Sequence, residues 1–374
     1  MTDLTGEAAL IDQHCHGVVT TDLDRLAFEA LLTEATRATP DRSRFDSMLG
    51  LAVRRWCAPV LGLPAHVGPD EYLERRAALG WWEASARLLR AAGVTDWLVD
   101  AGFAPVALTG LPEVADLAGG TAHEIVRLET VAERVAGLAG SAEEFAADLE
   151  TELHRAAAGA VGLKSVAAYR GGLDLPARPP SAAALSAAVG RWFAVGGRLT
   201  DPLVVGWLVH LGVRVGAEFG LPLQLHTGFG DDDLRLHHAD PSLLTDFLAA
   251  TRDSGVTVVL LHCWPFHRQA AYLAHVFGHV VVDVGLAVPH VGARSGAVLA
   301  ELLELAPFGA VCFSSDGYGL PELHYLGAWL WRRELGRLLD AWIADDVLTC
   351  ADAERLVAAV ARDNALRTYS RVSE

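Results

Sequence analysis

With 374 residues, 52% of them hydrophobic and 21% charged, the chain can bury a large core and is too apolar to be disordered. Its 30 Lys and Arg against 47 Asp and Glu leave a formal charge of −17, which argues against nucleic acid or an anionic membrane as partner. The cysteines (Cys15, Cys57, Cys263, Cys312, Cys350) are odd in number and show no CxxC spacing, and no basic region followed by an apolar stretch opens the chain. Together these predict a reduced, cytoplasmic protein acting on a small molecule.

Length alone suggests two or three domains, but an α/β barrel with insertions fits as a single domain over 1–374. Eight short runs rich in Val, Ile and Leu read as buried parallel strands: 10–16, 96–101, 124–129, 161–167, 222–226, 256–263, 280–285 and 310–315. The first ends in His14-Cys15-His16, where period-2 alternation sends both histidines to one face and Cys15 to the other. The long Trp/Arg-rich stretch 20–93, with Trp81-Trp82, predicts a helical cap. The third strand run ends at Glu129, which fits a salt bridge with a neighbouring arginine better than a place beside the site.

Helical periodicity over 142–158 leads to the fourth strand, which carries Lys164, the one lysine in a chain whose other basic side chains are arginines. Arginine stays protonated, whereas a lysine amine can be neutralised and then form a Schiff base or take up CO2 as a carbamate. The insertion 171–220 opens on the proline-rich Leu175-Pro176-Ala177-Arg178-Pro179-Pro180 and continues as helix. Strand five ends at His226 and strand six at His262, separated by helix over 241–253. Helices over 268–277 and 297–305 flank strand seven, Asp316 follows strand eight, and helices fill 321–374, while the apolar helices of the insertions 20–93 and 171–220 would suit a homo-oligomer contact. Eight β-then-α units predict a (β/α)8 barrel; a doubly wound sheet is the alternative, without a GxGxxG after strand one.

His14, His16, Lys164, His226, His262 and Asp316 all fall at carboxyl ends of strands, the face where barrel enzymes build their sites. Taken singly each is weak: the histidines could be satisfied core residues, and Asp316 a helix cap. Their conjunction is specific, because burying them together without a cation is costly. The loop Asp231-Asp232-Asp233 with His237-His238 reads as a solvated turn, while His290 and His324 fit ligand contact or ordinary surface equally.

The pattern resembles the metal-dependent amidohydrolase superfamily: HxH on strand one, Lys on four, His on five and six, Asp on eight. The phrases Ile11-Asp12-Gln13-His14-Cys15-His16, Leu163-Lys164-Ser165-Val166-Ala167-Ala168-Tyr169-Arg170 and Ser315-Asp316-Gly317 with Pro321-Glu322 resemble the branch that includes the hydrolase-like half of certain glutamine synthetase fusion proteins. The resemblance implies that His14, His16 and Asp316 hold one metal and His226 and His262 a second, with a carboxylated Lys164 bridging them. It implies one or two divalent ions, with Zn2+ suited to these ligands, and Lys164, His262 and Asp316 in catalysis. The expected activity is hydrolysis of a C–N or C–O bond in a small carboxylate-bearing substrate; a one-metal decarboxylase or lyase, a Schiff-base aldolase and a silent binding barrel are the alternatives. Glu322 is placed at the substrate with Tyr169, Arg170 and His267. Arg170 would anchor a carboxylate or else pair with an acid such as Asp174, and His267 would touch substrate or cap the following helix.

Overall fold

The computed structural model describes residues 4–6, 8–37, 41–103 and 105–373. Seven strands form one parallel sheet in sequence order: β1 (Leu10–Cys15), β2 (Val94–Asp100), β3 (Thr121–Arg127), β4 (Gly162–Ser165), β5 (Leu223–His226), β6 (Val258–Leu261) and β7 (Val280–Val282). The eighth expected strand is not regular. The segment after residue 310 makes one parallel bridge, Val311 to Val282, and the Cys312 amide donates to the Val282 carbonyl at 3.1 Å. On its other side the Gln13 amide donates to the Phe313 carbonyl at 3.2 Å, and the Asp316 amide to the His14 carbonyl at 3.0 Å. This segment therefore bonds to both sheet edges and curls the sheet into the expected (β/α)8 barrel.

Period-2 alternation builds two cores. Ile11, Leu98, Ile125, Val259, Val281 and Cys312 meet on the inner face, joined by Ala365 and Tyr369 from the C-terminal helices. Their chain neighbours, such as Leu10, Trp97, Val126 and Val282, pack outward on the surrounding helices. The helix Ala142–Ala157 shows how the outer ring is specified. Ser141 caps it by accepting from the Glu144 amide, acids occupy its first turn, and Phe145, Leu149, Leu153 and Ala157 form its buried stripe.

Both insertions are helical, as expected. The stretch 20–93 contains Arg25–Ala30, Met48–Ala52 and Pro69–Ala91; the stretch 171–220 contains Ala182–Val195 and Pro202–Phe219. Pro202–Phe219 is long and apolar enough to cross a membrane by length and composition, yet 56% of it is buried, and it packs on β4 and β5 as a barrel helix.

The first insertion is fastened to the helix Pro321–Ala344 by a buried ion pair. Arg76 Nε donates to Glu322 Oε1 at 3.0 Å, and the Tyr72 hydroxyl donates to the same oxygen at 2.9 Å. Glu322 is fully buried in these contacts, which corrects its expected place at the substrate: it is a structural anchor. Breaking one partner of such a pair leaves an uncompensated charge. Arg76→Met should therefore cost about 3–5 kcal/mol in urea unfolding, while the double variant Arg76→Met/Glu322→Gln should recover most of that loss.

Candidate metal centre

The parity that builds the inner core also builds the site above it. Two residues beyond Leu98 stands Asp100, beyond Ile125 Arg127, and beyond Gln224 His226. Lys164 stands two beyond Gly162, where a Cβ would meet Ile125 Cδ1 at 2.8 Å. In β1 the pairing with β2 slips between Asp12 and Cys15. His14 and His16 end on the inner side with ring centroids 5.2 Å apart, and Cys15 joins the outer core. His262 and Asp316 reach the same place by left-handed turns, with φ of 70° and 49°. Non-glycine residues take that conformation only where surrounding contacts hold them, as at functional sites.

Those contacts are visible. Buried Asp283 accepts from the His262 and Gly285 amides, both at 2.9 Å, and from Gln13 Nε2 at 2.7 Å. Buried Asp12 accepts from the Ser315 amide at 2.9 Å and from the Ser315 hydroxyl, tying β1 to the turn that carries Asp316. Burial pushes Asp12 up to about 7 and Asp283 up to about 6.

At the centre, Asp316 Oδ1 lies 3.2 Å from His14 Nε2 and 3.5 Å from His16 Nε2, and its Oδ2 lies 3.3 Å from His262 Nδ1. The His226 ring is tilted against His262, with centroids 4.6 Å apart. Lys164 Nζ donates to His14 Nε2 at 2.8 Å and lies 3.2 Å from Asp100 Oδ2. Arg127 grips the same oxygen from the far side through Nε at 3.0 Å and Nη2 at 2.6 Å. His16 Nδ1 donates to the Asp100 carbonyl at 2.8 Å, so its Nε2 offers a lone pair to the site.

Burial and the nearby Lys164 cation lower His14 to about 4 and His226 to about 3, and burial drives His262 well below the ordinary range. Burial also lowers Lys164, against the opposing pull of Asp100. For Asp100 burial opposes ionisation, but the Arg127 and Lys164 cations outweigh it and keep the carboxyl well below its usual value.

The donor set fits a divalent cation. Among the described residues, His14 Nδ1, His226 Nε2, both ring nitrogens of His262 and Asp316 Oδ1 are buried without a hydrogen-bond partner. Leaving such groups unpaired is costly, and neutral imidazoles with an ionised carboxylate are ligands that relieve the cost. His14, His16 and Asp316 each offer an atom within 4.8 Å of the others.

Of the other sequence-predicted residues, Tyr169 reaches the site and most of the rest find partners outside it. Tyr169 is at the site, its ring 4.7 Å from His226 and its hydroxyl accepting from the Asp231 amide at 3.3 Å. Arg170 donates to Glu133 Oε1 at 2.8 Å, so its partner is an acid of its own chain, though not Asp174. His267 is the first residue of the helix His267–Val276 and does not cap it; its Nε2 lies 2.7 Å from Glu301 Oε2. The expected Glu129–arginine salt bridge is replaced by hydrogen bonds from the Ser165 hydroxyl at 2.6 Å and the Val166 amide at 3.0 Å. His324 is buried, with Nε2 2.9 Å from the His16 carbonyl. In the acidic loop Asp232 accepts from Thr36 and Asp233 pairs with Arg198. Sequence reasoning missed Asp100 and Arg127, although the alternation that found Lys164 points equally to them.

A family model described as amidohydrolase matches residues 11–371. Protein fluG of Emericella nidulans is 32% identical over 230 aligned residues, 56% of this chain and 25% of that protein, so the chain covers about a quarter of its relative's length. A proposed metal-dependent hydrolase from Lactobacillus casei ATCC 334 superposes with a TM-score of 0.85 at 28% identity, covering 100% of this chain and 98% of the other. A uronate isomerase from Thermotoga maritima shares the fold at a TM-score of 0.66 and 16% identity, covering 98% and 96%.

The lowered histidines make a testable demand on pH. Folded-state values of about 4 for His14 and about 3 for His226 mean that both rings gain protons only as pH falls through that range. A cation binding there displaces no proton from these two rings at higher pH, so their protonation should cost it no affinity from about pH 7.5 down to about pH 5.5. A site of ordinary histidines would already weaken below about pH 6.5. Co2+ titration followed by visible absorbance checks this, and a tenfold loss per pH unit across that window would contradict it.

Proposed function

The chain belongs to the amidohydrolase family, and from that premise we propose that it is a metal-dependent hydrolase cleaving a C–N or C–O bond of a small substrate. The observation that carries this reading is the convergence of His14, His16, His226, His262 and Asp316, with buried donor atoms left unpaired, at the carboxyl end of the barrel. The hydrolase description of a solved relative at 28% identity supports it.

His14, His16 and Asp316 would hold a divalent ion, which would supply a Lewis acid and lower the pKa of water beside it. The chain's own groups do the rest. His16 is fixed in one tautomer by the Asp100 carbonyl, which keeps its Nε2 lone pair turned to the site. Burial opposes ionisation of Asp316, but His262, His14 and His16 outweigh it and hold the carboxyl well below its usual value. An ionised Asp316 at the centre can take a proton from the attacking water and deliver it to the leaving group. Tyr169, whose ring lies against His226, would orient the substrate. The expected carboxylate on the substrate loses its anchor, because Arg170 is engaged by Glu133.

A second reading, a one-metal decarboxylase or lyase, is favoured by one observation: Lys164 Nζ lies 3.2 Å from Asp100, an ion pair that suits an ammonium rather than a carbamate. Metal analysis separates the two. The two-metal hydrolase predicts about two ions per chain and loss of activity in Lys164→Arg, since guanidinium forms no carbamate. One ion per chain with activity surviving in Lys164→Arg favours the second reading. In either case Asp316→Asn should lower kcat by roughly 10²–10⁴-fold with the fold intact by circular dichroism. Near-normal turnover in that variant would remove Asp316 from the mechanism.

A further inference from the structure

A cavity of about 400 Å³ lies between the first insertion and the loop after β5, with Phe229 and Gly230 in its wall. It adjoins the candidate metal centre through Gly230. A Cβ on Gly230 would come within 2.0 Å of the Tyr169 hydroxyl oxygen and 3.1 Å of His226 Nε2, so only bare backbone separates the cavity from these groups. His226 is 5% exposed, and its Nε2, turned toward Gly230, has no hydrogen-bond partner among the described residues. An unpaired buried ring nitrogen thus lies just behind Gly230, at the edge of the cavity wall.

Its charged lining is lopsided. Glu34, Asp231 and Asp232 face it, against Arg44 and His290. Asp232 is taken up by the Thr36 hydroxyl, at 2.8 and 2.7 Å from its two oxygens. Asp231 accepts only the Asp233 amide at 3.0 Å and has no cationic partner among the described residues. Glu34 has His290 Nε2 at 3.5 Å, a cation only when protonated. Burial and the neighbouring carboxylates raise Asp231, the mark of an acidic pocket short of positive charge.

We propose that this cavity is the specificity pocket of the hydrolase read above, and that it selects a substrate carrying a protonated amine. The ammonium sits between Glu34 and Asp231, and the scissile bond lies beyond Gly230 beside Tyr169 and His226. Phe229, with His290 5.3 Å from its ring, gives the apolar wall for a short methylene chain between the two ends. Charge complementarity in a partly enclosed pocket discriminates strongly, because the wrong sign meets an unpaired carboxylate. This inference replaces the anionic substrate expected from the sequence.

The test uses metal-loaded protein and three amides of matched length: N-acetyl-1,5-diaminopentane, N-hexylacetamide and 6-acetamidohexanoate, which end in a cation, a methyl group and an anion. Calorimetry should show the cation binding roughly tenfold or more tighter than the neutral amide, with the anion weakest. Glu34→Gln/Asp231→Asn should bring the cation down to the neutral amide's affinity, and Glu34→Gln alone, at a half-buried position, should show part of that loss. Equal or tighter binding of the anion, no binding of the cation, or an unchanged preference in both variants overturns the inference. Acetate release is followed separately. A preserved cation preference without hydrolysis of any amide counts against the hydrolase reading and leaves the pocket's selectivity standing, whereas hydrolysis without that preference counts against the pocket alone.

Discussion

The ligands of β1 and the carboxylate of Asp316 meet only because the segment after residue 310 bonds both to β7 and to β1. That closure is polar where it matters. Asp12 reaches across to the Ser315 amide and hydroxyl, and the Asp316 amide returns a bond to the His14 carbonyl. A buried carboxylate held by neutral donors is costly to ionise, as the rise of Asp12 to about 7 records. It is also directional in a way that apolar packing is not. The last stave of the barrel is short of ladder bonds, and these contacts fix its register. The left-handed turn at Asp316, unfavourable by itself, is then imposed by the closure and aims the carboxylate at His14, His16 and His262.

The second constraint is charge. Asp100 stands fully buried between Arg127 and Lys164, so the tier beneath the imidazoles is an alternating cation–anion–cation row. At such a separation the attraction between Lys164 and Asp100 is on the order of 5 kcal/mol for an effective dielectric of about 20. Converting the ammonium to a carbamate would reverse its sign. A carbamate on Lys164 would therefore need a bound cation: without added positive charge the lysine gains by staying an ammonium beside Asp100. The same row also sets the ligands, since the Asp100 carbonyl orients His16 and the Lys164 amine meets His14.

What was legible in the sequence follows from which residues obey alternation. Lys164 and His226 sit where period 2 puts them, at strand ends, and His14 and His16 share a face as that period requires, although the slip in β1 is what turns that face inward. Asp100 and Arg127 obey the same rule on β2 and β3 but read as ordinary charges, because nothing in their own strands marks them as buried. Glu322, Arg170 and His267 illustrate the opposite limit. A long polar side chain takes the partner that tertiary packing offers, and Arg76, Glu133 and Glu301 are 246, 37 and 34 residues away in the chain. The eighth strand was legible as an apolar run, Val311 to Phe313. It falls short of a regular strand because it makes only one bridge to β7 and scattered single bonds to β1, a shortage its own sequence does not encode.

Chemistry and selectivity then come from different parts of the chain and meet at one residue. The barrel supplies imidazoles and carboxylate at strand ends; the insertion after β1 supplies Glu34 and Arg44, and the loop after β5 supplies Asp231 and Asp232. Gly230 stands between them, where the Tyr169 hydroxyl lies too close for any Cβ. A side chain there would have to displace Tyr169 from His226 or push the loop outward and carry Asp231, whose amide is bonded to Tyr169, away from the centre. Either shift alters the distance between the charged pocket and the reacting atoms. Such a distance, set by backbone rather than by a flexible side chain, fixes the length of the molecule that can reach both ends at once.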